Sequence, residues 1–322
     1  MKLLPVVMAI ACVAACGGKK KDGAGSGSSA VSGSGSGGTM MGSGSGSSMA
    51  GSGSAMGSGS AMGSGSAMGS GSGAGSGSGS AAAIEIKPYT PGADVPQPIK
   101  DAVAATDRDD HDRALDAGRK PADVLAFWKI APGQKVAELF SGGGNTTEIV
   151  ARVVGDKGHV YAQNSKEYMD KFLRKPWEER AKKPVMKNVT MNETADFNNP
   201  FPADAKDLDA VIIVLNYHDL YNNKTDLAKM NKAVFKVLKK GGVYGIEDHS
   251  APKGDGTKDT ETTHRIDEEV VKKDVTAAGF KLDGASDVLR NPDDKRDWNA
   301  SPRESGDKRG TSDRFVLRFV KP

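Results

Sequence analysis

Lys135-Val-Ala-Glu-Leu-Phe140 runs straight into Ser141-Gly-Gly-Gly144-Asn145, and Thr146-Thr-Glu-Ile-Val-Ala-Arg-Val-Val154 then continues to Gly155. A short apolar run, a turn of three glycines and a stretch with helical apolar spacing read as strand, tight turn and helix. The pattern repeats outward. His159–Asn164 reads as a second strand, Lys166–Lys183 as a charged helix, and Val189–Met191 as a third strand. Leu208–Leu215 is a buried-type run of Val, Ile and Leu. Asp226–Lys240 is an amphipathic helix closed by Gly241-Gly242, and Val243–Glu247 is a further strand. Asp267–Ala278 reads as a helix ended by Gly279, and 281–289 and 313–320 as two last strands. Strands alternating with helices imply an α/β fold with a doubly wound, mostly parallel sheet. No helix separates the last two strands, so an antiparallel C-terminal edge is expected. Upstream, the Pro-rich 84–100 reads as an extended arm, Lys100–Ala117 as a polar helix, and Pro121–Trp128 as a helix with Pro in its first turn.

The chain divides sharply by composition. Of its 322 residues, 1–83 hold 24 of the 41 Gly and 8 of the 12 Met. The remaining 239 residues carry 40 basic and 40 acidic side chains, so the formal +3 sits in the head. A neutral body argues against a nucleic-acid partner, which calls for a basic face. Its size suits one domain with a full core.

Met1-Lys2 precedes an apolar run, Leu3–Val13, too short to span a bilayer, which ends in Val13-Ala14-Ala15-Cys16. These first sixteen residues resemble a bacterial lipoprotein signal and lipobox, implying lipidation of Cys16 and a membrane anchor through it. The expected location is the bacterial cell envelope. No Asp follows the Cys, which favours the outer membrane over the inner. Residues 17–83, rich in Gly, Ser and Met with a six-residue repeat, form an expected disordered tether. A coil of that length spans roughly 40–45 Å. The body, 84–322, contains no Cys.

In a doubly wound sheet, ligands bind beyond the carboxyl ends of the strands where the winding reverses, usually at the first strand–helix turn. Glycines there let a ligand approach the backbone beside a helix N-terminus. The position after Gly142 and Gly144 where a dinucleotide fingerprint needs a third glycine is Thr147, which disfavours a nicotinamide oxidoreductase. No Gly-Lys-Ser/Thr is present, which excludes an ATP-type phosphate loop. Glu138 with Gly142 and Gly144 resembles the loop of class I S-adenosylmethionine-dependent methyltransferases. The body is similar to an exported family of them through Glu138–Gly144, Asn216-Tyr-His-Asp219, Leu238–Gly242, Glu247-Asp-His249, His264-Arg-Ile-Asp267 and Arg309–Phe315. The resemblance implies a Rossmann-like fold and S-adenosyl-L-methionine as cofactor. Glu138, Gly142 and Gly144 would lie at its methionine end, with Gly143 also binding cofactor, Asn164 at the ribose and Asp196, with Phe197, at the adenine. Arg113 or Arg119 could close over its carboxylate.

Three of the five histidines lie at or beyond expected strand ends beside carboxylates: His218-Asp219, Asp248-His249 and His264-Arg265. The functional reading is a polar pocket in which His218, with Asp219 and His249, acts as base on an acceptor, while His264 and Arg265 touch substrate. The alternatives are a polar network with Asp267 as a helix cap, or a His/Asp metal cluster. No spacing such as H-E-x-x-H accompanies them, and no metal ligand is assigned. The expected activity is methyl transfer to a small-molecule or protein acceptor by a membrane-tethered lipoprotein. The competing reading is a catalytically inactive small-molecule-binding module, because S-adenosylmethionine is made and used in the cytoplasm.

Overall fold

The computed structural model describes residues 84–194 and 196–322. The lipobox with Cys16 and the whole tether, 17–83, lie outside the described residues. The elements, in chain order, are α1 (Gln97–Ala104), α2 (Asp110–Arg113), α3 (Asp116–Arg119), α4 (Pro121–Phe127), β1 (Lys135–Leu139), α5 (Asn145–Val154), β2 (His159–Asn164), α6 (Lys166–Tyr168), α7 (Arg174–Ala181), β3 (Val189–Glu193), β4 (Leu208–Val214), α8 (Tyr217–Asn222), α9 (Leu227–Val237), β5 (Leu238–His249), α10 (Glu268–Ala277), β6 (Lys281–Ser286) and β7 (Arg314–Val320).

The seven strands order as β3-β2-β1-β4-β5-β7-β6. The first five are parallel, whereas β7 runs antiparallel to both β5 and β6. The expected antiparallel edge is thus the β6–β7 pair, with β7 one place in from the rim. Alternation along β4 places Val211 and Ile213 in one core and Ala210 and Ile212 in the other. The first core packs under α9 and α10, and the second under α1, α4 and α5. Covering both faces is what makes these strands read as unbroken apolar runs.

Three expectations are corrected. The helix thought to run through Lys240 ends at Val237, because Leu238 leaves it to dock against Leu208 in the sheet. β5 extends to His249, so Asp248 and His249 are strand residues rather than a loop beyond it. The single helix expected over 100–117 is three short pieces with a non-helical break at Ala105–Asp109. Asp109 caps α2, accepting from the His111 N–H at 2.8 Å. Among the described residues no helix is long and apolar enough to cross a membrane.

Candidate functional site

β1 lies between β2 and β4, so the winding reverses at its carboxyl end. There both β1 and β4 finish in left-handed non-glycine residues, Phe140 (φ +57°) and Leu215 (φ +58°). Backbone strain of this kind is held in place by surrounding contacts and concentrates at functional sites. Asn216 Nδ2 donates to the Val214 carbonyl at 2.6 Å and reaches the Phe140 carbonyl at 3.5 Å, tying the two strand ends together. Phe140 in turn stacks on Phe197, ring centroids 5.1 Å apart and 11° from parallel.

The three glycines have different tasks. Gly142 (φ +57°) and Gly144 (φ +84°) occupy the left-handed region. A Cβ added at Gly142 or Gly143 would meet nothing within 4 Å, so both faces are open. A Cβ at Gly144 would stand 2.6 Å from the Trp177 ring, so this glycine serves packing. Asn164 is buried beneath the loop. Its Oδ1 accepts the Gly142 N–H at 2.9 Å, and its Nδ2 donates to the Gly142 carbonyl (3.0 Å) and Ser141 Oγ (3.1 Å). The residue expected at a ribose therefore holds the loop. Asp196 is exposed and turned to its own loop, accepting from the Asn198 N–H at 2.9 Å.

Trp177 and Arg180 of α7 cover the loop, and sequence reasoning missed both. Arg180 Nε donates to the Gly143 carbonyl at 2.6 Å, and its guanidinium also pairs with Asp112 (2.6 Å) and Glu148. The only local signal was a lone Trp in an otherwise charged helix. Arg119 lines a cavity of about 20 Å³ with Asn145, Thr146 and Glu247, and its guanidinium has no hydrogen-bond partner among the described residues. Arg113 instead pairs with Asp110 at 3.0 Å. Arg314 braces the sheet, paired with buried Glu247 at 3.0 Å.

Glu138 points to the α5 face and accepts a hydrogen bond from Thr147. Burial pushes its carboxyl up to about 7, against the opposing effects of the Thr147 and Thr146 hydroxyls. A raised folded-state pKa means that the folded protein keeps a proton between pH 4.5 and 7 that the unfolded chain has lost. Stability from this group is therefore full below about 4.5 and lost as pH rises through 7. At ~1.4 kcal/mol per unit, the loss amounts to about 3 kcal/mol. Urea unfolding at pH 5 and pH 8 should show that fall in wild type and a clearly smaller one in Glu138→Gln. Equal falls would mean that Glu138 is not the buried titrating group.

The second cluster stands at the carboxyl ends of β4 and β5. His218, in the first turn of α8, is buried and packs Nδ1 against Asp248 Oδ1 at 2.8 Å, while its backbone N–H donates to Asp248 Oδ2 at 2.8 Å. Its Nε2 faces His264 Nδ1 at 3.1 Å and Asp219 Oδ1 at 3.5 Å. Burial opposes charge on His218, but the Asp248 carboxylate outweighs it and raises the pKa. Burial, reinforced by His218 and Arg314, drives the His249 pKa well below the usual range, and its Nδ1 meets Ser312 Oγ at 2.7 Å. His249 is buried, with its ring centroid 6.1 Å from that of His218. His264 (φ +52°) is half-buried and its pKa is lowered by burial and then by His218.

Arg265, expected beside His264 at a substrate, turns the other way. It is fully buried, paired with Asp294 at 2.9 Å and stacked on Trp298 at 4.9 Å. Asp267 caps α10, accepting from the Glu269 N–H at 3.0 Å, and also binds the Gly254 N–H at 2.7 Å. His111 is exposed on α2. The separation of 46 positions between His218 and His264 kept their pairing out of reach of any linear motif.

The known proteins to which the chain is similar include methyltransferases. The ubiquinone/menaquinone biosynthesis C-methyltransferase UbiE of Vibrio campbellii is 31% identical over 121 residues, which are 38% of this chain and 43% of that protein. The Shewanella woodyi protein of the same name is 31% identical over 146 residues, covering 41% and 55%. The chain spans about half the length of the curated relatives it matches. Among solved structures, a putative sarcosine dimethylglycine methyltransferase from Galdieria sulphuraria superposes with a TM-score of 0.48 at 15% identity, over 74% of this chain and 93% of that one. A SAM dependent methyltransferase from Aquifex aeolicus gives 0.45 at 19%, over 63% and 89%. Residues 122–260, which carry the glycine loop, β1 to β5 and His218, match the model of the ubiE/COQ5 methyltransferase family.

Proposed function

We propose that the protein is an S-adenosylmethionine-dependent methyltransferase whose cofactor lies over the loop at the end of β1. The observation that carries this reading is the loop itself. Gly142 and Gly143 present open backbone at the switch point, Gly142 pinned from below by Asn164 and the Gly143 carbonyl held by Arg180. The match of 122–260 to a methyltransferase family supports it. When bound, S-adenosylmethionine supplies a methyl group on a sulfonium, an intrinsically downhill transfer.

The chain's own task is alignment and exclusion of water. Glu138, at the foot of the loop, would face the ammonium of the methionine end and ionise against it. Arg119, without a partner, suits the carboxylate. The stacked Phe140 and Phe197 offer an apolar platform toward the adenine side, with Asp196 at its exposed rim. The cluster of His218, Asp219 and His264 lies one strand over, on the acceptor side. The acceptor would be a small molecule or a protein, reached from a lipid anchor on Cys16 in the bacterial envelope.

Calorimetric titration of the full-length protein with S-adenosylmethionine, its demethylated product and NAD tests the reading. The first two should bind and NAD should not; binding of NAD alone overturns it. Binding without methylation of any envelope component would establish the inactive module instead. Detergent phase partitioning of the same preparation checks the anchor: wild type should enter the detergent phase and Cys16→Ser should not.

A further inference from the structure

We propose that His218, Asp219 and His264 form a binding site for a divalent transition-metal cation of the zinc type, with one coordination position open to solvent. The three potential ligand atoms, His218 Nε2, His264 Nδ1 and Asp219 Oδ1, are separated by 3.1, 3.5 and 3.7 Å. Zinc ligands at 2.0–2.2 Å in tetrahedral array stand about 3.3 Å apart. The three edges therefore bracket one face of such a tetrahedron. A hydrogen bond between the two rings would account for the first distance alone.

The surroundings orient the ligands. Asp248, fully buried, faces His218 Nδ1, which fixes the proton there and leaves the Nε2 lone pair pointing at the site. A carboxylate behind a ligating histidine is the usual means of setting its tautomer and raising its basicity. Asp219 Oδ1 accepts from Asn222 Nδ2 at 3.2 Å, and Asn222 is itself held by the Thr260 carbonyl at 3.0 Å. His264 is presented from a left-handed backbone whose two neighbours are both tied down. The Thr263 carbonyl accepts the Ala300 N–H at 3.0 Å, and Arg265 is locked in its buried ion pair. Strain at His264 thus has a supporting frame, as expected where a side chain is aimed.

The site is open on one side. His218 is sealed at 2% exposure, whereas the Asp219 and His264 side chains are 30% and 28% exposed. Two imidazoles and one carboxylate with a free fourth position is the ligand set of catalytic rather than structural zinc. The ligand such a site would take is an anionic oxygen or a thiolate. The site does not depend on the methyltransferase reading, since it involves none of the glycine-loop residues.

The test uses the metal alone. Full-length protein stripped with a chelator is titrated calorimetrically with Zn²⁺ and, separately, with Co²⁺ followed by its visible absorption. One equivalent should bind, and Co²⁺ should develop the intense bands of a tetrahedral or five-coordinate site. His264→Ala and Asp219→Ala, both at partly exposed positions, should each weaken Zn²⁺ binding by about 100-fold or more, and Asp248→Asn by about 10–100-fold. His111→Ala should leave it unchanged. Absence of binding in wild type overturns the proposal, as does undiminished binding in both His264→Ala and Asp219→Ala variants that retain the wild-type thermal transition.

Discussion

Gly143→Val is expected to weaken S-adenosylmethionine binding by about 10²-fold while leaving the thermal transition close to wild type. Gly143 lies outside the left-handed region, and an added Cβ meets no atom of the protein. The branched side chain therefore costs the fold little and projects into the space that a ligand's backbone contacts need. A displacement of ~1 Å at such a site costs on the order of 10²-fold in function. Gly144→Val serves as the contrast. Its Cβ would meet the Trp177 ring at 2.6 Å and its φ is +84°, so this variant should lose stability first and binding as a consequence. Titration calorimetry beside differential scanning calorimetry separates the two. Unchanged affinity in a folded Gly143→Val protein would remove the ligand from the loop.

Arg265→Leu is expected to destabilise the domain by about 3 kcal/mol, the order found when one member of a buried ion pair is removed. Arg265 and Asp294 are 0% and 1% exposed in their side chains, and the guanidinium also reaches the Ser250 carbonyl at 3.2 Å. Without it, Asp294 keeps the Trp298 indole at 2.8 Å and the Asp313 N–H at 2.6 Å but loses its counter-charge. Arg265→Leu combined with Asp294→Leu should recover part of the loss, since a buried pair replaced by apolar side chains is often nearly neutral. Urea denaturation measures both. A loss below about 1 kcal/mol in the single variant would mean that Asp294 is solvated or protonated and that Arg265 does not anchor the segment presenting His264.

The sequence by itself determined the parallel sheet, the glycine turn and most strand limits. Apolar periodicity and turn chemistry are local properties, and β2 and β4 need both faces buried wherever they sit. β1, α5 and β2 begin and end within one residue of their expected limits for that reason. The end of α9 was not legible, because Leu238 fits a helix by its own spacing and only Leu208, thirty residues away, draws it into the sheet.

The same division holds at the site. Glu138, the glycines and the His218-Asp219 pair are visible in the chain because each belongs to a short contiguous pattern. Which way each side chain faces is a property of the assembled fold. The tertiary structure turned Asn164 under the loop, buried Arg265 against Asp294, set His249 against Ser312 and brought Trp177 over Gly144. It also placed His264 within 3.1 Å of His218, a pairing set by Asp248 at the end of β5 and by the loop that returns to it. Distances of this kind depend on long-range packing, and a side chain's direction at a strand end reverses with a one-residue shift in register.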